Sequence, residues 1–192
     1  MSTVDLPTVL VVDDEEQVAD VYALRLGNDY ETRVAYSGPE ALDVMDEDID
    51  VVLLDRRMPD VSGDSVLETI REEGYNCRVI MLTAIDPGLD IVEMPFDDYL
   101  CKPVEKETLV AAIERQLDAR RRDEQLSEYL RIRSKLTLLE EELDSDHDEL
   151  TTLRARLDQL EAVVPIEEHT ALIEDTEPPD GSSTQESQSA TR

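Results

Sequence analysis

The chain has 192 residues, room for one ordinary domain plus an extension. It carries 48 acids against 18 bases, a formal net charge of -30, and its only lysines are Lys102, Lys106 and Lys135. Such a surface repels phosphate backbones, which argues against DNA as a partner, and no apolar run approaches the ~20 residues a membrane span needs.

The first apolar run, "VLVVDDEE", predicts a strand over Thr8–Val12 that stops at Asp13 and Asp14. Gln17–Leu26 reads as a helix with Val18, Val21, Tyr22 and Leu26 on one face. Thr32–Tyr36 is a second strand and Pro39–Met45 a helix. The third strand, Asp50–Leu54, also stops at an acid, in "VVLLDRRMP", where Asp55 is followed by Arg56 and Arg57. Asp64–Glu73 reads as a helix with Val66, Leu67 and Ile70 inward. Arg78–Leu82 is a fourth strand and Asp98–Cys101 a short fifth. Between them Pro87, Gly88 and Pro95 interrupt the chain, so any helix there is short or irregular. Strands alternating with helices predict a five-stranded, doubly wound parallel α/β sheet. Runs without polar alternation fit strands covered on both faces.

A long helix starts near Val104, and Gly and Pro then vanish until Pro165. From Tyr129, Ile132, Leu136, Leu139 and Leu143 recur at helical steps, as do Leu150, Leu153, Leu157, Leu160 and Val164. The seam breaks at "DSDHD", where Ser145 is a candidate cap with Asp148 three residues on. Two readings fit: a helical hairpin with a leucine core, or a dimerising coiled coil. The polar turn favours the hairpin. The last stretch, "EPPDGSSTQESQSATR", cannot bury enough apolar surface to fold and reads as a disordered tail. The expected division is residues 1–122, 123–165 and 166–192. Cys77 and Cys101 lack metal or redox spacing and read as buried free thiols. The start shows no basic region followed by an apolar core, so no signal peptide is read and a cytoplasmic location is expected.

In a parallel α/β sheet the ligand crevice lies at the carboxyl ends of the strands. Asp13, Asp14 and Asp55 would converge there, and three carboxylates in one place repel strongly. Each alone would be a helix cap or a solvated acid. Together they point to a hard divalent cation, and Mg²⁺ prefers oxygen ligands. The fourth strand delivers the hydroxyl of Thr83 and the fifth the ammonium of Lys102. A carboxylate nucleophile, a metal, a hydroxyl and an ammonium make a phosphoryl-transfer site.

The ordered set Asp13–Asp14, Asp55 with "MPDVSG", Thr83–Ala84, Tyr99 and Lys102–Pro103 resembles the receiver domain of two-component response regulators, over roughly residues 7–122. The resemblance implies a flavodoxin-like fold in which Asp55 takes a phosphoryl group from a sensor histidine kinase. It implies Mg²⁺ held by Asp13, Asp14, Asp55 and the backbone carbonyl of Arg57. Thr83 and Lys102 would bind the phosphoryl oxygens, Tyr99 would swing inward as the switch aromatic, and the Lys102–Pro103 bond would be cis. Arg57 and Ile85 would flank the path of the hydrolytic water. The second zone resembles the HalX domain that follows receivers in halophilic archaea. The acid-rich, lysine-poor composition agrees, since high salt screens self-repulsion.

Four functions compete. A signalling switch would pass its state through the helical zone to a protein partner, with a homodimer as one option, and would not be an enzyme in its own right. A transcription factor would need a basic recognition helix, but the basic cluster of Arg120–Arg122, Arg131, Arg133 and Lys135 is set among acids. An aspartate phosphatase commonly carries a second acid two residues after the first, where this chain has Arg57. A pseudo-receiver scaffold would not need the intact acids, Thr83 and Lys102.

Overall fold

The computed structural model describes residues 6–84, 89–140 and 147–163. The elements run β1 (Thr8–Val12), α1 (Glu16–Leu26), β2 (Glu31–Ala35), α2 (Gly38–Val44), β3 (Ile49–Leu54), α3 (Gly63–Glu72), β4 (Arg78–Thr83), β5 (Asp98–Cys101), α4 (Lys106–Glu140) and α5 (Asp148–Glu161). They fall into two compact units, Met1–Glu124 and Gln125–Arg192.

In the first unit the five strands are parallel in the order β2-β1-β3-β4-β5. The chain leaves β1 in one direction to β2 and in the other to β3, so the crevice opens between β1 and β3. Successive residues of a strand face opposite sides, and both sides here are apolar. Leu10, Val12, Val52, Leu54, Val79 and Met81 pack with Ala41 of α2 and Val66, Leu67 and Ile70 of α3. Val9, Val11, Val51, Leu53, Ile80 and Leu82 pack with Ala19, Tyr22 and Leu26 of α1 and Leu109, Ala112 and Ile113 of α4. Each large side chain buried fully in this way contributes about 1.5–3 kcal/mol.

The face of α1 is set by Ala19, Tyr22 and Leu26, while Val21, expected inward, is 45% exposed. One residue of offset turns a side chain about 100° around the helix, which carries Val21 off the buried stripe. Cys77 is buried as expected, but Cys101 is exposed: it ends a four-residue strand that only β4 borders.

Caps fix where helices begin. Ser37 accepts a hydrogen bond from the Glu40 amide, and the Glu40 carboxylate accepts one from the Tyr36 amide. Ser62 accepts from the Ser65 amide at the start of α3. Caps of this kind contribute about 1 kcal/mol each. Between β4 and β5 the described residues hold one 3-10 turn, Leu89–Ile91, in place of a full helix. At the amino ends of the strands, Arg71 and Arg78 both pair with Asp97, at 2.6 and 2.8 Å, and Arg120 of α4 pairs with Asp50 at 2.7 Å.

In the second unit Tyr129, Ile132 and Leu136 of α4 pack against Leu150 and Leu160 of α5, with Leu126, Leu139, Leu153 and Leu157 at the edges. The two seams therefore meet within one chain, as a hairpin requires. Arg156 of α5 forks onto Glu128 of α4, at 2.8 and 2.7 Å. The amino cap of α5 is His147, while Ser145, Leu143, Val164 and the expected tail lie outside the described residues. Among the described residues no helix is long and apolar enough to cross a membrane.

Candidate functional site

Val12 of β1 lies beside Leu54 of β3 in the ladder, so the next residue of each strand, Asp13 and Asp55, emerges at the same height. The Asp55 amide donates to the Val12 carbonyl at 2.8 Å and the Asp13 amide to the Ala35 carbonyl at 3.2 Å. These bonds carry the sheet pattern one residue past the strands and leave both carboxylates at the mouth of the crevice. Both are buried, with 2% of Asp13 and 7% of Asp55 exposed. Asp14 is the more exposed of the three, and one oxygen from each lies within 4.8 Å of the others.

Pairing of β4 with β5 sets Thr83 beside Cys101, and the Lys102 amide donates to the Thr83 carbonyl at 2.8 Å. The two residues predicted from distant segments therefore stand side by side in the backbone at the carboxyl ends of β4 and β5. Thr83 is buried. The Lys102–Pro103 bond is cis. Lys102 Nζ reaches Asp13 Oδ2 at 2.5 Å and Asp55 Oδ1 at 3.2 Å.

Burial pulls the Lys102 ammonium down, but Asp13 and Asp55 outweigh it and the net shift is upward. Burial pushes the Asp55 carboxyl above its ordinary value, and Asp13 adds to this, although Lys102 pulls the other way. A carboxyl raised on folding binds protons more readily in the folded than in the unfolded chain. Its ionised form therefore costs stability above the raised value, and that cost is relieved as pH falls towards the ordinary carboxylate range of about 4. In metal-free buffer Asp55→Asn is expected to melt at a higher temperature than wild type at neutral pH. The gap should close on acidification. A lower melting temperature for Asp55→Asn across that whole range would contradict this.

The loop after Asp55 completes the site. Arg57 is exposed, and its amide donates to Asp55 Oδ2 at 3.2 Å. The carbonyl of Arg57, expected as a metal ligand, belongs to this same turn. Asp60 holds a left-handed backbone, φ 65°. A Cβ on Gly63 would stand 2.1 Å from the Asp55 carbonyl oxygen, so α3 starts directly against the backbone of the buried acid. Gly38 is similarly closed in by Val61, at 2.7 Å. The sequence signal for both was present as glycine within "YSGP" and "DVSGD". Neither spacing nor composition gives the contact. The fork from Arg56 to Asp64 was also missed, because a surface-type pair gives no signal in the sequence.

Tyr99 is half-buried, one residue into β5, with its ring 5.6 Å from that of Phe96. It packs at the edge of the α2–α3 side of the sheet. Ile85 lies outside the described residues.

The donor set suits a small, hard cation. It is all oxygen and partly buried, and Lys102 is set between two of the acids. The Lys102 ammonium at the same place can hold an oxyanion drawn in beside such a cation.

The chain matches the response regulator receiver domain family over residues 9–114. It is 45% identical over 174 residues to a Haloferax volcanii protein named a putative transcriptional regulator, a match covering 88% of this chain and 29% of that one. The chain thus spans less than a third of that relative's length. Among solved structures it resembles a CheY-like response regulator receiver domain protein from Methanospirillum hungatei. That likeness has 26% identity and a TM-score of 0.58, and covers 62% of this chain and 99% of the other. It also resembles a response regulator receiver domain protein from Clostridium thermocellum, with 32% identity and a TM-score of 0.54, covering 60% and 98%.

Proposed function

Because the chain belongs to the response regulator receiver domain family, we propose that it is a phosphorylation-controlled switch in a two-component pathway. Asp55 accepts a phosphoryl group from a histidine kinase, and the helical region passes the change to a protein partner. The observation that carries this reading is the convergence of Asp13, Asp14 and Asp55 with Lys102 at the carboxyl edge of the sheet.

Asp13, Asp14, Asp55 and the Arg57 carbonyl would hold Mg²⁺. When bound, it neutralises charge on the acids and on the incoming phosphoryl oxygens. An Asp55 oxygen attacks phosphorus, and the new P–O bond forms as the P–N bond to the kinase histidine breaks. The imidazole leaves with the electron pair and takes a proton from solvent. Lys102 moves its contact from Asp55 to a phosphoryl oxygen, and the Thr83 hydroxyl donates to another. Tyr99, one strand away from Thr83, turns inward to report the change. The chemistry is confined to the chain's own Asp55, so the protein signals rather than turns over a substrate.

A second reading is transcriptional control, favoured by the name of the Haloferax volcanii relative. Against it, Arg131, Arg133 and Lys135 are exposed singly along α4 in a chain of net charge -30. Partner capture from a cell extract at molar salt, with the phosphorylated chain and with Asp55→Asn as bait, separates the two. The switch reading expects a protein retained by the phosphorylated form alone. DNA enriched in that fraction would establish the second reading, and identical captures would remove phosphorylation control altogether.

Arg57 is exposed beside Asp55, and its long planar fork would cover the phosphoryl group. Arg57→Asn should shorten the lifetime of the phosphorylated form. A charge-assisted contact discounted for exposure is worth about 1 kcal/mol, or about fivefold in rate. Decay followed after removal of the phosphodonor checks this, and an unchanged half-life would leave Arg57 without a guarding role.

A further inference from the structure

The loop that carries the Arg57 carbonyl is closed at its neck. The Gly63 amide donates to the Arg56 carbonyl at 3.0 Å, which joins the start of the loop to the first residue of α3. Beside this bond, Arg56 Nε donates to Asp64 Oδ1 at 3.0 Å and Arg56 Nη2 to Asp64 Oδ2 at 3.2 Å. This is a two-point fork, which fixes orientation as well as distance. The Arg56 side chain is only 13% exposed, and Asp64 sits in the first turn of α3, where a helix favours an acid. Gly63 already presses against the Asp55 carbonyl, so the fork acts on backbone that has no slack.

We propose that the Arg56–Asp64 fork is a clasp that positions the Asp55 carboxylate and the Arg57 carbonyl for the divalent cation. Arg56 and Asp64 are then positioning residues for metal binding, although neither contributes a ligand. The inference rests on the receiver reading of the acidic site. Its logic is that of a metal's outer shell, where groups that orient ligands matter nearly as much as the ligands themselves.

The sign of one measurement separates positioning from simple electrostatics. Arg56 adjoins Asp55, so removing its charge strengthens attraction for Mg²⁺ by Coulomb's law alone. Loss of a clasp weakens it. Mg²⁺ affinity is measured by titration calorimetry in molar KCl for wild type, Arg56→Gln and Arg56→Lys. Thermal melts in chelator confirm that each variant is folded at the assay temperature. The clasp predicts about tenfold weaker binding for Arg56→Gln. Arg56→Lys keeps the charge but not the two-point fork, so it too should bind Mg²⁺ more weakly than wild type. If wild type binds Mg²⁺ and Arg56→Gln binds as tightly or more tightly, the clasp is wrong while the receiver reading stands. If wild type itself binds no Mg²⁺, the receiver reading fails and the clasp falls with it.

Discussion

Asp14→Ala is expected to lose Mg²⁺-dependent phosphorylation by about a hundredfold, the scale on which metal sites respond to lost support, while keeping its fold. The two halves of this result have one cause. Asp13, Asp14 and Asp55 present oxygens within 4.8 Å of one another, and Lys102 contacts Asp13 and Asp55. Removing Asp14 therefore relieves repulsion without orphaning a partner of Lys102. Asp14 is also the most exposed of the three, so its truncation opens no cavity in the core. Labelling with acetyl phosphate across a Mg²⁺ titration, alongside a thermal melt in chelator, checks both halves. Wild-type labelling by the variant would remove Asp14 from the metal site. A collapsed melt would make it structural.

Gly63→Ala is expected to be among the most damaging single-methyl additions in the first unit. The new Cβ would sit 2.1 Å from the Asp55 carbonyl oxygen and 2.9 Å from the Arg56 Cα. Both neighbours are backbone, so no rotamer can make room and α3 must move off the sheet. Overpacking of this kind costs about 3 kcal/mol, and the displaced turn is the one that carries Asp55 and the Arg57 carbonyl. Gly74 offers the contrast. Nothing lies within 4 Å of its Cβ position, and only its φ of 79° resists a side chain. Gly74→Ala should cost about 1–2 kcal/mol through that backbone angle and leave Mg²⁺ binding unchanged. Denaturant melts and Mg²⁺ titrations of the two variants test the distinction. Equal stability losses, or a Gly63→Ala protein that binds Mg²⁺ like wild type, would contradict it.

The sheet was legible because its signal is local. Val9–Val12 and Val51–Leu54 are apolar without alternation, which is what strands covered on both faces require. The site was legible because it is written at strand ends. Once β1 and β3 are neighbours, Asp13 and Asp55 must meet. The hairpin was open in the sequence because a leucine seam has the same spacing whether its partner lies in the same chain or another. The packing of Ile132 and Leu136 against Leu150 and Leu160 fixes the intrachain contact. The reading of Val21 failed because an apolar residue one step off a stripe cannot be told from one on it, and Ala19 was the true member. Cys101 failed for a different reason: its exposure depends on β5 being short and bordered only by β4. Gly63 and the Arg56–Asp64 fork were invisible because they depend on how the loop returns to its own start.

If Asp55 is the phosphoacceptor of a Mg²⁺-dependent site, its own peptide must carry the label. The direct measurement is intact-protein and peptide mass spectrometry after incubation with acetyl phosphate, with and without Mg²⁺, for wild type and Asp55→Asn. A single phosphoryl group on the peptide containing Asp55, present only with Mg²⁺ and absent from Asp55→Asn, is the predicted result. Labelling of Asp55→Asn equal to wild type, or labelling indifferent to Mg²⁺, would contradict it.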